Sequence, residues 1–207
     1  MRSPDQIRVD TRTALLDAAE RLIDREGLAS LTTRGVAKEA DLNPGVVHYH
    51  FVSMDDLSVA VISRVSARLM DRQRRIFAGD HPFAEQWRVA TKPLRGAAGR
   101  RQMKVWAEYA IAAINRPALA STMTVMNIEW HEIIAEALRR ECARGRRAVP
   151  ESSVQALAAL DTALLKGLYL EHLQGFHSGH AELLALADRF NDALGDGLIQ
   201  LDDPPIK

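Results

Sequence analysis

The chain has 207 residues, with 27 Lys and Arg side chains balanced by 27 Asp and Glu, and 47% of its residues are hydrophobic. This balance is typical of a globular protein with one sizeable core or two small ones, and it excludes a disordered chain. Only 5% of the residues are aromatic, and Ala, Leu, Val and Ile supply most of the apolar content. That composition favours helices packed on helices, so the predicted fold class is all-α.

The composition also limits the kinds of site that the chain can carry. The single cysteine, Cys142, excludes an internal disulfide and a cysteine-rich zinc site, and it is typical of a reducing compartment. No apolar run reaches the roughly 20 residues of a membrane-spanning helix, and the first residues lack the apolar centre of a signal peptide. We therefore expect a cytoplasmic protein with no membrane partner.

Charge alone does not identify a nucleic-acid partner. The part of the chain up to Ile76 carries 12 basic and 11 acidic residues, and the remainder carries 15 and 16. Neither part is basic enough to predict binding to a polyanion. Such a partner has to be argued from particular positions.

The chain opens with signals for two helices. Between Thr11 and Glu26, apolar residues recur every three or four positions, which is the spacing of one helix face. Gly27 ends this helix. A second helix, of about two turns, is predicted over residues 33–40, where a threonine can cap the first N–H groups.

Asn43 and Pro44 give the clearest local signal in the sequence. Asn is a good N-cap, and Pro suits the first helical position because its missing N–H costs nothing there. A third, short helix is therefore predicted over residues 44–51. Ser53 offers a cap for a long fourth helix, which meets no breaker before Gly79.

The rest of the chain reads as helical, which brings the expected total to about nine helices. The additional predicted helices cover residues 82–92, 100–114, 117–143, 152–177 and 180–198. The expected organisation is a three-helix domain at residues 1–52, a helical ligand-binding and dimerisation domain at 53–201, and a tail at 202–207.

Helices two and three, joined by a tight turn and preceded by a stabilising helix, match a helix-turn-helix. The third helix has no acidic residue, and its outer side is expected to carry Gly45, His48, Tyr49 and His50, which suits a polyanion. The alternative is a purely structural bundle. The residues predicted to face double-stranded DNA are Thr32, Thr33, Arg34, Asn43, Pro44, Gly45, Val46, His48, Tyr49 and His50.

The stretch from residue 15 to 57, LLDAAERLIDREGLASLTTRGVAKEADLNPGVVHYHFVSMDDL, resembles the N-terminal signature of the tetracycline-repressor (TetR) family. The resemblance implies a transcriptional regulator, typically a repressor that a small-molecule effector releases from a palindromic operator. Three positions depart from the family pattern: Asp41 replaces the usual turn glycine, Met54 replaces a common lysine, and His48 replaces an aromatic residue. The missing lysine predicts about one phosphate contact fewer.

Two C-terminal segments, QMKVWAEYAIAAINRPALASTM and LDTALLKGLYLEHLQGF, resemble the branch of the family that includes choline-responsive regulators. The resemblance implies a cavity for a small organic effector. The aromatic rings of the cavity would suit a quaternary amine, with Glu108, Glu129 or Glu132 as a counter-charge. A neutral apolar ligand is the alternative and would need only shape and burial. The predicted pocket residues are Met103, Trp106, Tyr109, Ala110, Met123, Met126, Asn127, Trp130 and Tyr169.

The last two helices are apolar on more than one face, which indicates two packing partners. We expect one face to pack within the subunit and the other on a second copy of the chain, giving a homodimer. The alternative is burial of both faces within one subunit. The predicted interface residues are Leu157, Leu160, Leu164, Leu168, Leu183, Ala187, Phe190 and Leu194.

The sequence offers little support for catalysis. A helical di-iron enzyme would need Glu-x-x-His pairs, and the sequence has none. His48 and His50 are two residues apart on a helix, so they point in different directions and cannot share a metal ion. We therefore expect no enzymatic activity, no cofactor and no metal. The competing hypothesis is a helical enzyme or small-molecule carrier whose N-terminal bundle is structural.

Overall fold

A computed structural model describes residues 3–95, 100–145, 149–197 and 199 of the chain. Within these residues the structure has nine α-helices and no strand, so the all-α prediction is confirmed. The predicted tail at 202–207 lies outside the described residues. The helices are α1 (Pro4–Glu26), α2 (Thr33–Glu39), α3 (Pro44–His50), α4 (Met54–Phe77), α5 (Phe83–Thr91), α6 (Arg100–Ala113), α7 (Pro117–Arg144), α8 (Glu151–Gln174) and α9 (His180–Gly195).

Helix α1 starts two turns earlier than the sequence interpretation placed it. The Ser3 hydroxyl accepts a hydrogen bond from the Gln6 N–H at 3.2 Å, and Pro4 occupies the first helical position. This is the same type of start signal that located α3. The earlier start brings Arg8 into the helix, whereas Arg12 already lies within the predicted range.

The helices group into two compact units. Among the described residues, the first unit comprises those within 1–68 and 101–125, and the second comprises those within 69–100 and from 126 onward. Both α4 and α7 therefore contribute to each unit. The sequence-based division into domains after residue 52 stays a prediction. The two compact units group residues by their contacts, which is a different criterion.

In the first unit, α6 is fastened to the C-terminal end of α1. Lys104 Nζ donates to the Asp24 carbonyl at 2.6 Å, and Glu108 Oε2 accepts from the Leu28 N–H at 3.1 Å. Between them, Gly27 has a φ of +85°, and a Cβ there would lie 3.1 Å from Glu108 Oε1. The backbone conformation therefore favours glycine, and the close approach of Glu108 leaves little room for a side chain.

In the second unit, a buried carboxylate of α7 caps α5. Pro82 precedes α5 and offers no side-chain hydrogen bond, but Glu141 Oε2 accepts from the Phe83 N–H at 3.0 Å. The Arg144 guanidinium donates to the same carboxylate at 2.6 Å, which compensates its charge. Glu141 thus satisfies a backbone donor that the local sequence leaves open.

We expect Glu141→Leu to lower the free energy of unfolding by about 2 kcal/mol, because the Phe83 N–H and Arg144 both lose a charged acceptor. Urea denaturation followed by circular dichroism measures this change. The matched control is Glu136→Leu, since Glu136 also pairs with arginines of α7 but is exposed. Its effect should stay below about 0.5 kcal/mol. Equal effects of the two substitutions would contradict the capping role.

Candidate functional site

Two short helices and a tight turn form the N-terminal site. The Thr32 hydroxyl accepts from the Gly35 N–H at 3.0 Å before α2, and the Asn43 side chain accepts from the Gly45 N–H at 3.0 Å before α3. These caps lie where the sequence predicts them. Asp41, in the turn, has a φ of +56°, the left-handed conformation that an aspartate tolerates in place of glycine.

The inner sides of α2 and α3 are anchored in the first unit. Val47 and Phe51 are both buried, as their four-residue spacing predicts, and Val36 of α2 is buried with them. The opposite sides are therefore available to a partner, and Tyr49 is 71% exposed. Of the residues predicted to face DNA, Thr32, Arg34, Asn43, Pro44, Gly45, His48 and Tyr49 are exposed, whereas Thr33, Val46 and His50 are half-buried.

Thr33 has an intramolecular partner that the sequence did not reveal. Its hydroxyl lies 3.4 Å from Met54 Sδ and donates to it. Met54 opens α4 at the position where the family commonly has a lysine. Since its hydroxyl hydrogen is engaged, Thr33 is a weaker candidate for a DNA contact than Thr32.

Two arginines of α1 lie beside α3. The guanidinium carbon of Arg8 is 5.9 Å from the centre of the Tyr49 ring, and that of Arg12 is 5.1 Å from the Phe51 ring. Burial, followed by the charges of these two arginines, holds the pKa of the His50 imidazole below its ordinary value. A start at Thr11 left Arg8 outside the predicted helix, and no local signal in the sequence places either arginine beside α3.

Glu39, the acidic residue of α2, is paired with arginines and so repels a polyanion only weakly. Glu39 accepts from Arg25 Nη2 at 2.8 Å and from Arg21 Nε at 2.9 Å. The hydrogen bond from Arg25, followed by that from Arg21, lowers the pKa of Glu39 to about 2. The carboxylate is therefore ionised at neutral pH, and its charge is compensated by α1.

The three carboxylates considered as counter-charges for an amine all have other partners. Glu108 accepts from the backbone at the end of α1, and Glu129 accepts a hydrogen bond from Arg74. Glu132 lies 3.5 Å from Arg139 Nη1. The structure therefore does not support the predicted role for any of them.

The predicted pocket residues are divided between the two units. Trp106 and Trp130 each bury an indole N–H, and Asn127 buries its Oδ1, without a hydrogen-bond partner in the described part of the chain. Unpaired buried polar atoms are costly and are typically satisfied by water or a ligand. In the first unit Met103, Trp106, Tyr109 and Met123 are buried and Ala110 is half-buried; in the second, Met126, Trp130 and Tyr169 are buried and Asn127 is half-buried.

One face of the Trp130 ring already has a cation against it. Lys166 Nζ lies 5.5 Å from the centre of the indole. A quaternary amine on this face would be repelled by the lysine. Lys166 therefore disfavours a cationic ligand on this face of Trp130, and the pocket as a whole stays a prediction.

The predicted interface residues differ in how much surface they offer. Leu168 and Leu194 are buried within the chain, so they leave almost nothing for a second copy to contact. Leu160 is 57% exposed, and Leu186, which the sequence analysis did not select, is 56% exposed. Leu183 is also exposed, and Leu157, Leu164, Ala187 and Phe190 are half-buried.

No helix in the described ranges is long and apolar enough to cross a membrane. The chain combines an exposed helix-turn-helix with a helical C-terminal region, which is the architecture of a DNA-binding transcriptional regulator. The profile described as "Bacterial regulatory proteins, tetR family" matches residues 15–61, and that described as "BetI-type transcriptional repressor, C-terminal" matches residues 90–196. The chain belongs to the tetR family and carries a BetI-type C-terminal domain, which confirms the resemblance found in the sequence.

Individual relatives agree with this assignment. The HTH-type transcriptional regulator UidR of Escherichia coli K12 is 25% identical over 129 residues, which cover 62% of this chain and 65% of UidR, just under two thirds. The regulator BetI of Burkholderia mallei is 27% identical over 187 residues, or 88% of this chain and 92% of BetI. A transcriptional regulator from Saccharomonospora viridis, solved in complex with choline, shares the fold with a TM-score of 0.70 at 22% identity, covering 91% of this chain and 95% of its own.

Proposed function

We propose that the chain is a cytoplasmic homodimeric repressor that binds a palindromic operator through α3 of each subunit and is released by a small organic effector. The observation that carries this proposal is the outer side of α3, which is exposed, contains no acidic residue and is flanked by Arg8 and Arg12. Such a surface suits the major groove. Two copies about 34–36 Å apart would contact successive major grooves. We expect no enzymatic activity.

The apolar surface of α8 and α9 supports the dimer. The side chains of Leu160, Leu183 and Leu186 are exposed to solvent in the single chain. Burial against a second copy would remove this apolar surface from water. Gly167 lies on α8, and a Cβ built there would meet no atom of the chain within 4 Å. This face therefore has room for close approach by a second copy.

The effector is proposed to pair with the buried indole N–H of Trp106. The ring is buried, and its N–H has no acceptor among the described residues. A hydrogen-bond acceptor on a small organic molecule would satisfy it. Met103 and Tyr109 are also buried on α6 and would supply apolar lining.

The test of DNA recognition is Tyr49→Ala. Because Tyr49 is largely exposed, its loss should leave the melting temperature almost unchanged, while operator affinity falls about 10-fold or more. Mobility shifts with DNA fragments that the wild-type protein enriches from genomic DNA provide the measurement. Tyr49→Phe is the matched control and separates the ring from its hydroxyl. Full affinity in a folded Tyr49→Ala variant would remove this residue from the interface.

The test of the effector site is Trp106→Phe, which keeps an aromatic ring and removes the N–H. A panel of small organic compounds, with choline as the cationic member, is screened for release of the protein from the operator. For a compound that releases it, we expect the substitution to weaken binding about 10-fold, since one buried hydrogen bond is lost. Equal affinities of the variant and the wild type would place the effector elsewhere.

A further inference from the structure

A groove between α7 and α8 in the second unit offers a cavity that the proposed operator and effector contacts do not use. It has a volume of about 520 Å³, which is in the range of small-molecule sites. Ile128, Ala159 and Ala163 supply apolar lining, while Asn127 and Lys166 supply polar atoms. His131, Glu132 and Thr162 complete the lining, so the groove combines an apolar body with several polar groups.

Lys166 gives this groove an unpaired positive charge. Its ammonium group lies over the Trp130 ring, and none of the described residues forms an ion pair with it. Burial lowers the pKa of the Lys166 side chain, so the charged form would gain from an anion placed beside it. An arrangement of this kind disfavours a second cation and favours an anion.

The other charged group of the lining does not cancel this preference. Glu132 is exposed, and its carboxylate lies 3.5 Å from Arg139 Nη1. His131, the remaining titratable side chain, has its Nε2 2.5 Å from Gln155 Oε1. Lys166 is therefore the lining group whose charge has no partner among the described residues.

Asn127 adds a requirement for hydrogen bonding. Its Oδ1 is buried without a donor among the described residues, although the side chain lines the groove. Since the oxygen and nitrogen of an amide can exchange places by a flip, Asn127 can meet either a donor or an acceptor. A hydroxyl group on a ligand would satisfy it in either orientation.

We propose that the α7–α8 groove binds a small carboxylate with an apolar body, in which the carboxylate pairs with Lys166 and a hydroxyl group bonds to Asn127. The apolar body would lie against Ile128, Ala159 and Ala163. This site is separate from the Trp106 effector site and does not depend on it. It takes an anion, in contrast to the cationic ligand that the aromatic residues alone suggested.

Calorimetric titration of the full chain with benzoate and the three monohydroxybenzoates tests the site. Benzamide, which has nearly the same shape as benzoate without its charge, is the matched neutral ligand. We expect benzoate to bind at least 10-fold more tightly than benzamide. At least one hydroxybenzoate should bind more tightly than benzoate.

Two pairs of variants assign these preferences to the groove. Lys166→Met should remove the preference for benzoate over benzamide, whereas Lys166→Arg should retain it because the charge is conserved. Asn127→Ala should remove the advantage of the hydroxyl group, while the preference for benzoate over benzamide remains. Melting temperatures establish that each variant is folded. The proposal would be overturned by equal binding of benzoate and benzamide, by unchanged selectivity in Lys166→Met, or by no carboxylate binding at millimolar concentration. None of these results would bear on operator binding, which is measured separately on the wild-type protein.

Discussion

Leu160→Arg is expected to turn the protein into a folded monomer with little affinity for its operator. The side chain is already 57% exposed in the single chain, so an arginine there costs the isolated fold little. In a dimer packed through α8 and α9, however, the same arginine would be buried without a partner, at a cost of about 3–5 kcal/mol. That cost corresponds to roughly a 100-fold or greater loss of dimer affinity.

Sedimentation of the wild type and the variant at micromolar concentration measures the assembly, and titration of the operator measures the consequence. Ile114→Arg is the control, since Ile114 is apolar and 78% exposed but belongs to neither α8 nor α9. It should remain a dimer with unchanged operator affinity. A Leu160→Arg variant that still sediments as a dimer would refute this interface.

Gly45→Asp is expected to abolish specific DNA binding while the protein stays folded. A Cβ at this position would meet only Asn43 Oδ1, at an ordinary distance of 3.6 Å, so the side chain fits. An acidic group in the first turn of α3 is also favourable for the helix. Facing phosphate groups, the same charge would cost several kcal/mol, which is a loss of roughly 100-fold or more.

Gly45→Asn separates charge from size, because asparagine has nearly the same shape as aspartate and no charge. The uncharged variant should lose much less operator affinity, and the gap between the two variants should narrow as salt is added. If both variants lost the same affinity, the effect would be steric. If neither lost any, the start of α3 would not face DNA.

Local signals were enough to predict the helix-turn-helix. Asn43 and Pro44, two adjacent residues, are enough to locate the start of α3, and the family pattern covers the surrounding stretch. The equivalent signal at Ser3 and Pro4 was present but overlooked, which concealed Arg8. Local signals could therefore predict the helices of this part of the site, whereas the contacts of Arg8 with Tyr49 and of Thr33 with Met54 join residues far apart in the sequence.

Contacts between distant residues could not be predicted in the same way. Nothing near Phe83 indicates that its N–H is capped by Glu141, which is 58 residues away. Similarly, the sequence places Trp130 in a pocket but does not show that Lys166 covers it. Both faces of α8 are apolar, so periodicity alone did not distinguish the buried Leu168 from the exposed Leu160. These assignments depend on how helices pack against one another.

The attachment of α6 to the end of α1 bears on how the first unit opens. A helix end in solution normally frays, and its amide protons exchange rapidly. Here Lys104 donates to the Asp24 carbonyl and Glu108 accepts from the Leu28 N–H, so loosening the end of α1 costs both of these contacts with α6. We therefore expect the Leu28 amide to exchange more slowly than the amides of a fraying helix end, and its protection measures how firmly α6 holds α1.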